Sequence, residues 1–414
     1  MRNTLVILNY QREIPPFMQN VICCGSMFER IIYVTPELYN DNREACAVQN
    51  LQVFQVPRRE WYRSFLKLPF MMLRREICSQ IYKAARMGRF DASFIKNMVV
   101  YCVCSELLKE EVVKLFRKNK ITPEDTVLLA AWFHTEAYAC AQIKRAYKGA
   151  HVVSYAHAFE INEAVNKNVY FSLNMFKHKM CDKISFISST TQKRYISALK
   201  RMYPEIRLDN IEVNYLGSRK IFATELSNSS SDDWLRIVSC SSAVPVKRIH
   251  LIIEALSQAS TKIEWVHIGG GPLLEDLKKK AACLLGEKTN IRYSFTGQLT
   301  NAQVQEYYIN NCVDLFINVS ESEGLPVSIM ECMSYGIPVI ATDVGGTKEL
   351  VNPETGFLLP KDFGTEDLVK TMSAYAVTST DEKSKYRQQA EALWKTAFDG
   401  DEKTAVFLRK QQDS

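Results

Sequence analysis

The sequence predicts an α/β protein made of two doubly wound, parallel-sheet domains. Three observations predict it: a length of 414 residues, a rear half in which short apolar runs alternate with helical stretches, and a polar break between the halves. A chain this long exceeds what one hydrophobic core usually serves, so two domains are the expectation. Hydrophobic residues make up 47% and charged residues 24%, proportions ordinary for a globular protein.

The alternation is clearest after residue 234. Leu235–Cys240 is a short apolar run, followed by a turn and a helical stretch from Arg248 to Ala259. Ile263–Ile268 is the next strand, closed by Gly269-Gly270-Gly271-Pro272, and a helix runs from Leu273 to Leu285. Ile291–Phe295 (strand), Asn301–Asn310 (helix), Val313–Ile317 (strand), Val327–Tyr335 (helix) and Ile337–Ala341 (strand) continue the series. Strands separated by helices of this length mean βαβ units and a parallel sheet. Ligands in such sheets sit beyond the carboxyl ends of the strands, so the loops there are where chemistry is expected. The front half is less regular, with strand expectations at Leu5–Leu8, Ile31–Val34, Val127–Ala130 and Val152–Tyr155. The run Ser227-Asn228-Ser229-Ser230-Ser231-Asp232-Asp233 has no apolar side chain and is taken as the linker. The expected division is therefore 1–224, 225–395 and a C-terminal helix over 396–414 that could cross back to the first domain.

Charge is unevenly spread. Residues 1–225 hold 33 Lys and Arg against 21 Asp and Glu, and residues 226–414 hold 19 against 25. A basic front half suits an anionic partner, either nucleic acid or a membrane surface. No nucleic-acid fold signature accompanies the basic residues, which disfavours nucleic acid. No run approaches about 18 uninterrupted apolar residues, so no transmembrane helix is expected. The apolar run near the N-terminus reads as a first buried strand rather than a signal peptide. Twelve cysteines are scattered without paired Cys-x-x-Cys spacing, which argues against zinc and suits a reducing cytoplasm.

The most informative stretch is SESEGLPVSIMECMSYGIPVIATDVGGTKELV, from Ser320 to Val351. A strand ends near Val319, a loop carries Glu321 and Glu323, Gly324 permits a tight turn, and Pro326 occupies a first helical position. Gly324, Leu325, Pro326 and Val327 then form a helix N-terminus whose free amides attract phosphate or carboxylate. Glu331 lies one turn into that helix. Taken alone, Glu323 and Glu331 read as a solvated loop acid and a solvated helix face.

The surroundings change that reading. This segment resembles the E-x7-E signature of the family-4 glycosyltransferases, and the resemblance runs back through VSCSSAVPVKRIHLIIEAL, IEWVHIGGGPLLEDLKKKA and FTGQLTNAQVQEYY in the family's order. It covers about 125 contiguous residues closely and the rest of the chain weakly. The resemblance implies a GT-B fold, in which two Rossmann-like domains face a cleft. It further implies a nucleotide-sugar donor, UDP- or GDP-linked, retention of anomeric configuration, and no cofactor or essential metal. Glu323 would then contact the transferred sugar or its leaving oxygen, and Glu331 the ribose hydroxyls. Lys247 matches the diphosphate-binding lysine. Its usual partner, an Arg five residues earlier, is replaced here by Ser242, which leaves Arg248 or a front-domain residue as the substitute cation. Gly270 and Gly271 match a glycine turn that lets backbone approach the nucleotide; alone they are an ordinary strand-to-helix turn. Gly297 and Leu299 fall where the base usually lies, and Gly345-Gly346-Thr347 follows a strand end beside the donor sugar. His267, inside a strand, reads as a core histidine.

On the acceptor side, HVVSYAHAFEIN is similar to the family motif in which a His follows a strand and an acid comes three residues later. The resemblance makes His157 the candidate for contact with the reacting sugar and Glu160 its companion, with Glu standing where the family has Asp. His134 is a second candidate, whereas His151, His178 and His250 have no evident role. The family's glycine-rich loop near the N-terminus is replaced by NYQREIPPFMQN. Residues Arg58 to Arg75 mix basic with aromatic and aliphatic side chains, as a segment touching anionic lipid would, or a core helix with a solvated basic face. The motif set most resembles bacterial enzymes of capsule, exopolysaccharide or O-antigen assembly, which would place the protein in the cytoplasm or peripherally at the cytoplasmic membrane face, with a hexose-type donor sugar and a glycan acceptor carried on polyprenyl diphosphate. Two alternatives remain at this point: a non-catalytic nucleotide-sugar-binding scaffold, and a sugar-nucleotide epimerase of the same fold.

Overall fold

The computed structural model describes residues 1–11, 13–36, 48–57, 59–118, 120–157, 159–161, 171–222 and 226–414. Two compact units emerge. One comprises Met1–Leu216 together with Asp401–Ser414, and the other comprises Gly217–Gly400.

In the first unit, seven short runs form one parallel sheet: β1 (Thr4–Leu8), β2 (Arg30–Pro36), β3 (Leu51–Val56), β4 (Thr126–Ala130), β5 (His151–Ala156), β6 (Lys183–Phe186) and β7 (Ile211–Val213). Their spatial order is β3-β2-β1-β4-β5-β6-β7. Strands β1, β4 and β5 are buried along their whole length, so they read as continuous apolar runs rather than alternating ones. Register follows burial: Leu5 pairs with Ile31 on one side and Val127 on the other. The helix Ala92–Arg117, capped by Asp91 accepting the Phe94 amide, supplies a large part of the core under this sheet.

The second unit repeats the arrangement with β8 (Leu235–Cys240), β9 (Ile263–Ile268), β10 (Ile291–Gly297), β11 (Leu315–Asn318), β12 (Val339–Thr342) and β13 (Gly356–Leu359). The order β10-β9-β8-β11-β12-β13 makes β8 and β11 neighbours although they are far apart in sequence. That is the topological switch point at which loops diverge and leave a crevice.

The expected linker needs correcting. The limits at 224 and 225 lie outside the described residues, but the Ser/Asp run after them is pinned to the second sheet. The Ser227 amide donates to the Tyr335 carbonyl at 3.1 Å and the Val313 amide to the Asn228 carbonyl at 2.9 Å. Asp314 accepts the amides of Ser230 at 2.9 Å and Arg236 at 2.8 Å. Ser and Asp side chains satisfy backbone donors as readily as they solvate a tether, which is why composition alone misplaced it. The passage between units lies at Gly217 instead. Gly217 adopts φ +67°, and a Cβ there would overlap the Phe398 carbonyl. Ser218 and Asp399 pair as a short parallel bridge, with Trp394 Nε1 donating to Ser218 Oγ at 2.9 Å. The last helix is Gly400–Gln412 rather than 396–414. Its Leu408 is fully buried and its Phe407 packs 5.2 Å from Tyr155, within the first unit.

Candidate functional site

The carboxyl edge of the second sheet gathers most of the donor-side residues that the sequence singled out. After β8 the chain makes a tight turn over Pro245–Lys247, and after β11 it runs through Val319–Pro326 into the helix Val327–Ser334. The Glu321 amide donates to the Val246 carbonyl at 2.8 Å, which ties these two loops together. Lys247 Nζ consequently lies 2.7 Å from Glu323 Oε1. Asn318 Nδ2 donates to the same oxygen at 3.3 Å, so the carboxylate is held from two sides.

Beside this pair the backbone is open. The amides of Gly324, Leu325, Val327 and Ser328 meet no acceptor among the described residues, and a Cβ on Gly324 would meet nothing within 4 Å. Pro326 is the N-cap rather than the first helical residue, and the helix starts at Val327. The loop after β12 backs this edge: the Gly346 amide donates to the Gly324 carbonyl at 2.7 Å. A Cβ on Gly345, which has φ +59°, would overlap the Glu323 carbonyl. Gly345 and Gly346 are thus required by backbone-to-backbone approach.

Glu331 is far from the solvated helix face that its spacing alone suggests. Burial pushes its carboxyl up to about 7, opposed by a hydrogen bond from the Asn301 side-chain amide. Asn301 opens the helix Asn301–Asn310. The glycine turn after β9 brings two loops into contact. Gly269 and Gly271 both take φ +143°, and a Cβ on either would overlap the Ser241–Ala243 backbone. The Gly270 carbonyl accepts the Ala243 amide at 2.7 Å. Gly297, at φ +73°, has open space around it, and Leu299 is half-buried.

Arg248 departs from expectation. Its Nε donates to the Val319 carbonyl at 2.8 Å, Nη1 to the Lys361 carbonyl at 3.0 Å and Nη2 to the Ser320 carbonyl at 3.3 Å, and the guanidinium lies 5.4 Å from the Phe363 ring centre. A fork committed to three carbonyls holds loops together, so Arg248 does not replace the cation missing at the exposed Ser242. It is also the one non-glycine residue with positive φ among the described residues. His267 is buried, and its Nδ1 lies 2.9 Å from Ser239 Oγ. Burial lowers its pKa to about 4, as suits a core histidine.

The corresponding edge of the first sheet holds a buried, titratable cluster. Glu160 Oε2 accepts the His157 amide at 2.8 Å, and its Oε1 accepts the Phe133 amide at 3.1 Å and lies 3.4 Å from His157 Nδ1. Glu160 therefore staples the loop after β4 to the loop after β5. The His157 ring is 4.1 Å from Trp132 and 5.2 Å from Phe17, and its Nε2 has no partner among the described residues. Lys177 donates to the Phe133 carbonyl at 2.7 Å. Burial lowers its pKa to about 7, opposed by Glu160 and Glu136. Burial likewise raises Glu136 to about 7, against a hydrogen bond from the Tyr10 amide. His134 Nδ1 lies 2.9 Å from Thr135 Oγ1, with its ring edge-on to Tyr101 at 4.9 Å. Burial lowers its pKa to about 4.

Comparison with known proteins finds a family likeness within the second unit. Residues 235–376 match the family described as Glycosyl transferases group 1. The chain therefore has the GT-B fold, and its second unit resembles the family-4 glycosyltransferases. It is 30% identical over 129 residues to the teichuronic acid biosynthesis glycosyltransferase TuaC of Bacillus subtilis, a match spanning 31% of this chain and 30% of that one. It is 25% identical over 254 residues to the O-antigen biosynthesis glycosyltransferase WbnH of Escherichia coli, spanning 58% and 66% respectively. The chain thus matches less than two thirds of the length of these relatives. The fold extends over nearly everything: Anabaena HepE in complex with UDP superposes with a TM-score of 0.70 at 15% identity, over 99% of this chain and 100% of that one.

Sequence reasoning missed four polar residues of the two sheet edges. Asn318 and Asn301 hold the two glutamates, and Lys177 and Glu136 belong to the buried cluster of the first edge. Asn318, at the end of a strand and five residues before Glu323, carried a readable signal. Lys177 did not, because nothing in FSLNMFKHKM marks one lysine as buried. Among the described residues, no cluster of three or more His, Cys, Asp or Glu is arranged to hold a metal, and no helix is long and apolar enough to cross a membrane.

Proposed function

We propose that this glycosyltransferase moves a hexose from a UDP- or GDP-linked donor to a lipid-linked glycan acceptor during surface polysaccharide assembly, with retention and without an essential metal. One observation carries the reading: Lys247 and Glu323 form a partly exposed pair beside four unpartnered amides, at the switch point of a parallel sheet. A diphosphate seated there takes the lysine from Glu323 and frees the carboxylate for a sugar hydroxyl. As the bond from anomeric carbon to phosphate oxygen breaks, negative charge grows on the leaving oxygen, where Lys247 and the helix amides can stabilise it. Glu331, steadied by Asn301, accepts from the ribose hydroxyls. His157, with Nδ1 held toward Glu160, offers Nε2 to the acceptor side. The relatives named for teichuronic acid and O-antigen biosynthesis, and the UDP bound by HepE, support the substrate classes.

A non-catalytic nucleotide-sugar-binding role is the second reading. The absence of a cation at Ser242, with Arg248 engaged elsewhere, favours it. Thermal-shift screening of the full chain against UDP- and GDP-sugars, followed by measurement of nucleotide release, separates the two. Transfer predicts turnover that falls by roughly 10²–10³ in Lys247→Ala and Glu323→Ala. Binding without turnover supports the scaffold. Absence of any shift defeats both.

A further inference from the structure

Residues 58–90 contain nine Lys and Arg and two acids. Arg58 lies outside the described residues; the rest form three consecutive helical segments, Arg59–Leu66, Leu68–Met72 and Arg75–Arg86. A core helix would turn its apolar side chains inward, and some do: Met71 and Ile77 are buried. Four large ones do the opposite. Tyr62 is 78% exposed, Leu66 78%, Phe70 77% and Leu73 76%. Their neighbours Arg63 and Arg75 are exposed as well, Arg63 touching Glu60 at 3.3 Å, whereas the exposed Lys67 is paired with Glu110. The acids are turned away from solvent, with side-chain exposures of 12% for Glu60 and 9% for Glu76. The surface therefore presents aromatic and aliphatic side chains among positive charges, with its negative charges withdrawn.

We propose that this surface docks on an anionic lipid bilayer, with Tyr62, Leu66, Phe70 and Leu73 entering the headgroup region and Arg63 and Arg75 facing lipid phosphates. Aromatic and aliphatic side chains on a basic helical surface have the composition of an interfacial segment, and the charge segregation matches an anionic leaflet. The patch also adjoins the candidate acceptor edge of the same unit. The helix Arg59–Leu66 leaves the carboxyl end of β3, and its Trp61 lies 6.3 Å from Tyr10, whose amide binds Glu136. Lipid docking deepens the reading of a lipid-linked acceptor, yet it rests on this surface and not on sugar transfer.

The test uses the full chain and vesicles, without any sugar. Cosedimentation with equimolar phosphatidylcholine and phosphatidylglycerol vesicles is expected, weakening as salt rises, with little binding to phosphatidylcholine alone. Leu66→Glu with Phe70→Glu should reduce binding at least tenfold while leaving Tm unchanged, since both side chains are exposed. Arg63→Gln with Arg75→Gln should weaken it roughly five-fold per residue. The proposal is overturned if the chain stays in the supernatant at low salt, or if the variants sediment like the parent. It is also overturned if light scattering shows a dimer that Leu66→Glu with Phe70→Glu dissociates while no vesicle binds, because the occupant would then be a second copy of the chain. Loss of vesicle binding would leave nucleotide-sugar turnover untouched, so the two proposals fail separately.

Discussion

The two sheets share one strand order through their first six strands, yet their carboxyl edges are built on opposite principles. The second unit's edge is made of backbone. Glycines at 269, 271, 345 and 346 let loops touch main chain to main chain, which leaves amides at the start of Val327–Ser334 open and keeps Lys247 and Glu323 partly exposed. The first unit's edge is made of buried side chains, where Glu160 staples two loops and Lys177 lies beneath them. An edge made of backbone can receive a polyanion without moving its main chain, only the Lys247 side chain changing partner. One made of buried charge can place a single ring firmly, but each charge there depends on the others.

That dependence gives the largest expected effect. Lys177→Met takes the donor from the buried Phe133 carbonyl and the positive charge from beside Glu160 and Glu136, and a buried polar group left unsatisfied costs up to about 3 kcal/mol. Denaturant titration of the full chain should show it. Lys177→Met combined with Glu160→Gln should recover part of the loss, because the amide carries no charge and its one oxygen still accepts either the Phe133 or the His157 amide, which Glu160 takes on separate oxygens. An additive double variant would break the view of the edge as one coupled cluster.

The second edge should fail through the backbone instead. Gly345→Ala combines a positive φ with a Cβ against the Glu323 carbonyl, at a cost of roughly 1–3 kcal/mol, and it pushes on the loop that carries Glu323. Gly324→Ala, with open space around it, should stay within about 0.5 kcal/mol of the parent in stability. Comparing nucleotide-sugar Kd and unfolding midpoints of the two variants checks both. Equal effects would mean that the Gly345 contact is not what shapes the loop.

This contrast also explains what the sequence revealed. The second unit's strands fall within about two residues of the runs read from residues 235 to 342, except that β13 (Gly356–Leu359) was missed. Its donor residues lie in short motifs because each loop is local, and Glu323, Gly324 and the helix start are contiguous. The first unit's cluster draws Phe17, Trp132, His157, Glu160 and Lys177 from four separate segments, and no spacing rule links them. Strands β3, β6 and β7 were also missed. LQVFQV is only half-buried at the sheet edge, while KISF and IEV are too short for a period to register.

Glu331 offers a smaller and more specific effect. With its carboxyl near pH 7 in the free protein, ionisation in the site is unfavourable by comparison with the unfolded chain. Its contribution to stability is therefore present below the ordinary carboxylate range and lost as pH rises through about 7. Donor binding should run the other way, because hydroxyl donors favour the carboxylate. Nucleotide-sugar affinity is expected to weaken as pH falls below 7, approaching tenfold per unit, or about 1.4 kcal/mol. Calorimetric Kd values between pH 5.5 and 8.5 would show the slope (about three units spanning the transition), and Glu331→Gln should flatten it. A slope that persists in the variant would assign the titration to another group.

The smallest effect bears on the missing cation. Arg248 spends its fork on the carbonyls of Val319, Ser320 and Lys361, so Arg248→Gln should cost about 1–2 kcal/mol of stability through lost charge-assisted hydrogen bonds. The same substitution removes no direct contact to the donor, so any change in donor Kd should come only from the loosened Val319–Ser320 loop and stay well below the loss in Lys247→Ala. Had the guanidinium served the diphosphate, the pattern would reverse. Stability would hold, and turnover would fall by roughly 10²-fold as it does when an oxyanion donor is removed. Measuring Tm and kcat on one purified variant therefore decides whether the proposed sugar transfer works with a single side-chain cation from the second unit, Lys247, and leaves the rest of the phosphate charge to the amides of Gly324, Leu325, Val327 and Ser328.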